Sequence, residues 1–189
     1  MPLPPIVHAG DPVLRAVAAP VPPELFGTTR LRQLVASMTE VMRQAPGVGL
    51  AAPQIGVGLA LVVLEDAEAL MARLSPEERA ARGRAAFPLT VIANPVLEVH
   101  GAERATFFEG CLSVPGYMAL VERALDVDVT GLDELGAPVT WRVSGWPARI
   151  LQHEVDHLAG TLYVDRMITR TFSANGQLQA RGMAAPAGK

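Results

Sequence analysis

The chain has 189 residues, a formal net charge of −3, 50% hydrophobic residues and only 5% aromatic ones. That length and makeup fit one domain with an aliphatic core, and the scattered charges of both signs exclude a dedicated nucleic-acid or anionic-membrane surface. Cys111 is the only cysteine, which excludes an intramolecular disulfide and fits a reducing compartment.

No apolar stretch approaches the roughly 20 residues of a membrane span. The start, Met1-Pro2-Leu3-Pro4-Pro5, has neither the basic start nor the apolar run of a secretory signal. These features point to a bacterial cytoplasm ahead of a trimmed organelle protein. Residues 1–27 are Pro-rich and read as a surface segment, with a short strand near Ile6-Val7 and a turn at Gly10-Asp11-Pro12. His8, just before that turn, reads as a surface residue. From Thr29 to about Gln44, Leu31, Leu34, Val35, Met38 and Met42 recur at helical spacing. Thr28 or Thr29 can cap this helix, and Pro46-Gly47 ends it.

Gly47-Val48-Gly49-Leu50-Ala51-Ala52-Pro53-Gln54-Ile55-Gly56 follows. Its small residues let a substrate or another segment approach the backbone closely. It lacks the Gly-Lys-Ser/Thr ending of a phosphate loop. Gln54 is its one amide, and it either bonds to a turn backbone or holds a carbonyl oxygen. Leu59 to Leu64 reads as a buried strand. Residues 66–87 read as a solvated, partly helical insertion without chemistry. Thr90 to Val99 is strand-like, interrupted by Asn94-Pro95, with His100 at a strand end or turn. Ala105 to Phe108 leads into Glu109-Gly110-Cys111-Leu112-Ser113-Val114-Pro115-Gly116. Leu125, Val127 and Val129 alternate with Asp126, Asp128 and Thr130; Glu134-Leu135-Gly136 turns, and Val139 to Val143 completes a hairpin.

The stretch His153-Glu154-Val155-Asp156-His157 carries the chemistry. Histidines four apart lie one helical turn apart on one face, so both can reach one metal ion, with Glu154 beside them to work on a bound water. Pro147 suits the first turn of this helix, Ser144 or Gly145 its cap, and Gly160 its stop. On a wheel of about 100° per residue, Leu151, Val155 and Leu158 share an apolar face, whereas Arg149, Gln152 and Asp156 form a narrow polar arc expected to face water. The third ligand is open between His8, His100, Cys111 and an upstream acidic residue, because no Glu follows Gly160 and Tyr163 stands where one protease class has a third His. Beyond Arg170 the chain is polar and small. The order of elements predicts an α+β fold, with short, mostly antiparallel strands packed around a central metal-binding helix. One catalytic domain is expected over residues 1–170, with a loose tail over 171–189.

Three stretches, Gly49-Leu50-Ala51-Ala52-Pro53-Gln54, Glu109-Gly110-Cys111-Leu112-Ser113 and His153-Glu154-Val155-Asp156-His157, together resemble the signature motifs of peptide deformylase, in that family's order. The resemblance extends to Gly10-Asp11-Pro12-Val13-Leu14-Arg15 and covers about residues 5–170. Ser144 to His153 and Arg166 to Phe172 look closest to the branch shared by organelle enzymes and many bacteria. The resemblance implies removal of the formyl group from N-formylmethionine at the start of new polypeptides, near the ribosome and without direct contact to nucleic acid or membrane. It also implies one metal per chain, usually Fe(II), with Zn, Ni or Co as replacements, held by Cys111, His153 and His157. One departure stands out: many bacterial members carry an Arg where this chain has Met118.

The chemistry follows from the residues. A thiolate and two neutral imidazoles leave a dication with an open fourth position, where water is acidified toward neutrality. Glu154 takes its proton and later hands it to the leaving amine. The Gln54 amide and the Leu112 backbone N–H are the oxyanion stabilisers that the resemblance implies, each such donor being worth about 3 kcal/mol. Gly47, Val48 and Gly49 look like the strip along which an extended peptide pairs. Val48, Leu112 and Ile150 are the expected walls of an apolar pocket for a Met side chain. Glu109 reads either as a residue that orients a ligand or as a plain surface or structural one. Two other readings are a zinc endopeptidase and a peptide-binding module with a structural metal.

Overall fold

The structure is a computed structural model, and it describes residues 2–72 and 74–180. The elements in chain order are α1 (Thr29–Gln44), β1 (Gly49–Ala51), β2 (Leu61–Asp66), α2 (Glu68–Met71), α3 (Pro76–Arg82), β3 (Phe87–Cys111), β4 (Val114–Leu132), β5 (Pro138–Ser144), α4 (Trp146–Leu158), α5 (Tyr163–Arg166), β6 (Ser173–Ala174) and α6 (Asn175–Ala180). All six strands join one antiparallel sheet in the order β1-β2-β3-β4-β5, with β6 pairing the start of β4. The α+β expectation holds.

The two long helices cover opposite faces of this sheet, and β2 explains why. Its apolar run is buried on both sides, as a strand between two layers must be. Leu61 and Val63 pack in one cluster with Leu31, Val35, Met38 and Met42 of α1. Val62 and Leu64, pointing the other way, pack with Trp146, Ala148, Leu151 and Leu158 of α4. The Thr28 hydroxyl accepts from Leu31 N at 3.2 Å, capping α1.

Several expectations change. The Ile6-Val7 strand is absent; instead Val7 N–H donates to Gln54 O and Ala9 N–H to Ser113 O, both at 2.8 Å. The N-terminal segment thereby ties together the two loops that carry Gln54 and Cys111. Asn94-Pro95 and Gly101 do not end strands. They sit at register shifts inside the 25-residue β3, with Asn94 at φ 52° and Gly101 at φ 66°, so each bends the strand and lets it continue. His100 therefore lies within β3, its Nε2 2.8 Å from Asp128 Oδ2.

The 66–87 segment is not simply solvated. Arg84 donates two hydrogen bonds to Asp66, at 2.7 and 2.9 Å, and neither side chain is exposed. Met71 is also fully buried, so the segment is anchored at both ends and in its middle. The tail expected to be loose from residue 171 starts with ordered structure: Ser173 and Ala174 pair with Met118 and Tyr117, and α6 follows. Backbone pairing at a free edge of β4 holds it, which its side chains do not announce. The remainder of the tail, 181–189, lies outside the described residues.

Candidate metal centre and pocket

Helix α4 starts at the Gly145 N-cap with Pro147 in its first turn. It stops before Gly160, which adopts φ 70° and has no room for a side chain, since a Cβ there would lie 2.8 Å from Arg15 C. Leu151 and Leu158 are buried in the core as expected. The opposite arc is not wet: Arg149 and Asp156 are 3% and 8% exposed. Their partners come from distant strands. Arg149 donates to Glu109 at 2.6 Å, Asp156 accepts from Arg123 at 2.5 Å, and Gln152 bonds the Ala124 N–H and carbonyl at 3.0 and 2.9 Å.

The structure brings Cys111, His153 and His157 together. One donor atom from each lies within 4.8 Å of the other two. Cys111 Sγ is 3.3 Å from His157 Nε2. His153 turns its Nδ1 to the Glu109 carboxylate at 3.0 Å, which leaves Nε2 for the cluster. Ser113 N–H donates to Cys111 Sγ at 3.4 Å, and Gln54 Nε2 does so at 3.6 Å. Among the described residues no other such group occurs. His8, which is exposed, and His100, which faces Asp128, are thus not the third ligand.

The donor set fits a divalent first-row ion: a thiolate and two imidazoles, with room for one more ligand. The charges agree. Cys111 and Glu109 outweigh burial and raise the His153 pKa, so the cluster attracts positive charge. Burial lowers His157, keeping its imidazole neutral and able to ligate. Burial also opposes ionisation of Glu109, yet hydrogen bonds from His153 and Arg123 hold its carboxyl well below the usual range. Glu109 is therefore a buried hub between a cluster histidine and two arginines, not a surface residue.

Glu154 lies beside the cluster, 4% exposed, and its Oε2 has no partner among the described residues. Burial pushes its carboxyl up to about 7, against the pull of His153. It packs against Gly49, where a Cβ would lie 2.8 Å from Glu154 Cδ. Gln54 bonds the turn backbone, its Oε1 accepting from Ala51 N at 2.8 Å, while its Nε2 faces Cys111 and Ser113.

A cavity of about 90 Å³ opens over Gly47, Val48, Gly49, Gln54, Cys111 and Glu154. Val48, Leu112 and Ile150 line it, and so do Phe108, Trp146 and Arg149, which sequence reasoning missed. The signal for Trp146 was available: positions 146, 150, 153 and 157 fall within about 60° on a helical wheel. Arg123 also had a signal, since it stands two residues after Val121 and so shares its face of β4, with Glu122 on the other. Met118 is 2% exposed and offers nothing to a substrate.

Polypeptide deformylase sequences match this chain over residues 3–172. The chain belongs to the polypeptide deformylase family. It is 53% identical to a chloroplastic peptide deformylase 1A of Solanum lycopersicum over 90% of this chain and 61% of that protein. It thus spans about three fifths of that relative's length. With the mitochondrial peptide deformylase of Homo sapiens it shares 47% identity, over 91% of this chain and 72% of that one. A crystal structure of a class I type b peptide deformylase from Acinetobacter baumannii with Met-Ala-Ser bound superimposes with a TM-score of 0.77 at 34% identity, covering 88% of this chain and 99% of that one. These relatives overturn the preference for a bacterial cytoplasm, because organelle deformylases are as similar to this deformylase-family chain as bacterial ones are. A targeting segment is removable and leaves no mark on the domain it delivers. No described helix is long and apolar enough to cross a membrane.

Proposed function

We propose that this chain is a metal-dependent hydrolase that removes the formyl group from the N-terminal N-formylmethionine of newly made polypeptides and releases formate. The observation that carries this reading is the buried Glu154, its Oε2 without a partner among the described residues, lining one largely apolar pocket with two of three converging metal donors. The Acinetobacter relative's bound Met-Ala-Ser supports it, since a peptide beginning with a free Met is what deformylation leaves.

Cys111, His153 and His157 would hold one divalent ion per chain, Fe(II) as the working ion with Zn, Ni or Co as replacements, and the ion would supply Lewis acidity near neutral pH. Glu154 accepts a proton from the attacking water as the water oxygen bonds to the formyl carbon. Gln54 Nε2 and the Leu112 backbone N–H donate to the formyl oxygen as its charge grows. Glu154 then gives the proton to the amine nitrogen as the C–N bond breaks. Gly47 to Gly49 pair with the extended peptide, and the pocket beside Val48, Leu112 and Ile150 takes the Met side chain. The substrate is met close to the ribosome, without direct binding to nucleic acid or membrane.

The test is formate release from formyl-Met-Ala-Ser, run with metal analysis. Stoichiometric metal and catalytic formate release are expected. Metal without formate release would overturn the reading in favour of a binding module, and internal cleavage of unformylated peptides would favour an endopeptidase.

A further inference from the structure

Trp146 lines the pocket from the first turn of α4. Its indole is 5% exposed, and its N–H has no hydrogen-bond partner among the described residues. Only packing therefore sets how far the ring reaches into the cavity that it lines. Three guanidinium groups surround it, with Arg82, Arg84 and Arg149 Cζ at 5.3, 5.4 and 6.0 Å from the ring centroid. Phe107 meets it edge-on at 6.2 Å. All three cations are within range of the ring quadrupole.

Two of these cations come from the segment between β2 and β3. That segment is docked on the start of α4. The Trp146 backbone N–H donates to Gly83 O at 3.4 Å, and a Cβ on Gly83 would lie 3.3 Å from Gly145 Cα. Arg84 is locked by Asp66, and Arg149 by Glu109. Arg82 has no carboxylate partner among the described ion pairs, and its Nη1 is buried without a hydrogen bond. The indole is the group it serves.

We propose that the 82–84 segment determines side-chain specificity in the pocket: Arg82, with Arg84 beside the same ring, fixes the Trp146 indole at the depth that favours an unbranched side chain such as Met. This rests on the proposed deformylase reading. Arg82 is a positioning residue here, because it touches the indole and does not line the cavity. Losing it should free the ring to swing, which weakens contacts along a long side chain and leaves a methyl-sized one unaffected.

The experiment compares Arg82→Met and Arg82→Lys in the metal-loaded, full-length protein, with formyl-Met-Ala-Ser and formyl-Ala-Ala-Ser as substrates. For Arg82→Met, KM for the Met peptide should rise about three- to tenfold, the range one cation–π contact spans. Its kcat should stay within twofold, and the Ala peptide should not respond. Arg82→Lys should restore most of the loss. Trp146→Leu should show the same reduced Met preference, and adding Arg82→Met to it should change nothing more. If Arg82→Met shifts both peptides alike, or keeps its full effect without Trp146, the proposal is overturned. If the parent protein releases no formate, the deformylase reading fails instead. Calorimetric binding of Met-Ala-Ser against Ala-Ala-Ser then reads the pocket directly, and an unchanged ratio in Arg82→Met still overturns the proposal.

Discussion

A single methyl group on Gly49 should remove most deformylation while leaving the fold and the metal in place. Gly49 lies in β1 with ordinary extended backbone, so alanine meets no conformational penalty there. The whole effect comes from its Cβ, which would lie 2.8 and 2.9 Å from Cδ and Cγ of Glu154. Ordinary carbon contacts begin near 3.5 Å. The Glu154 carboxyl must then retreat by roughly 0.5–1 Å, and a misplacement of about 1 Å costs on the order of 10²-fold in rate. Overpacking adds a stability loss of about 1–3 kcal/mol. The assay is kcat/KM for formyl-Met-Ala-Ser with metal content and melting temperature measured on the same sample. Gly58→Ala is the control, because a Cβ there meets nothing within 4 Å. A Gly49→Ala protein with kcat/KM within threefold of the parent would refute the placement of Glu154 as the proton carrier.

Three further outcomes are expected. Glu154→Gln should keep its metal and lose at least 10²–10⁴-fold in rate; in the parent, kcat/KM should climb tenfold per pH unit on the acid side and level off at or below about 7, since a base works only deprotonated and a nearby cation pulls the value down from its buried position near 7. Glu109→Gln leaves Arg149 without its buried counter-charge and Arg123 with Asp156 alone, so stability should fall by about 3–5 kcal/mol, and chelator competition should reveal metal affinity weaker by about 10–100-fold. The iron-loaded protein should lose activity in air as Cys111 gains oxygen by mass, while the nickel-loaded protein keeps it; equal decay of both forms would contradict thiolate attack as the cause.

The metal face of α4 was legible because the chemistry is local: two histidines and a glutamate within five residues share one turn, and helix geometry alone brings them together. Cys111 was legible only through motif resemblance, since nothing local links it to a histidine 42 residues later. The strands read as breaks at Asn94-Pro95 and at Gly101 show a limit of residue punctuation. The same residues that end a strand in a turn can bulge it when a partner strand continues alongside, and β4 does continue.

The larger misreading concerned charge. Arg149, Asp156, Asp66 and Arg84 all looked like solvent-facing residues, and all are buried. Each has its counter-charge far away in sequence: Glu109 for Arg149, Arg123 for Asp156, and a partner 18 residues distant for the Asp66–Arg84 pair. Composition cannot distinguish a wetted ion from a buried pair, because the distinction lies in the partner and in the strand that delivers it. Here the buried pairs are not incidental to the site. Glu109 turns His153 toward Cys111 and His157, Asp156 holds Arg123 against Glu109, and Arg84 seats the segment that backs Trp146. A chain needing only stability could have replaced such pairs with apolar residues at little cost. Buried charges that all terminate on a metal ligand or a pocket wall are better explained by the orientation they impose than by the stability they add.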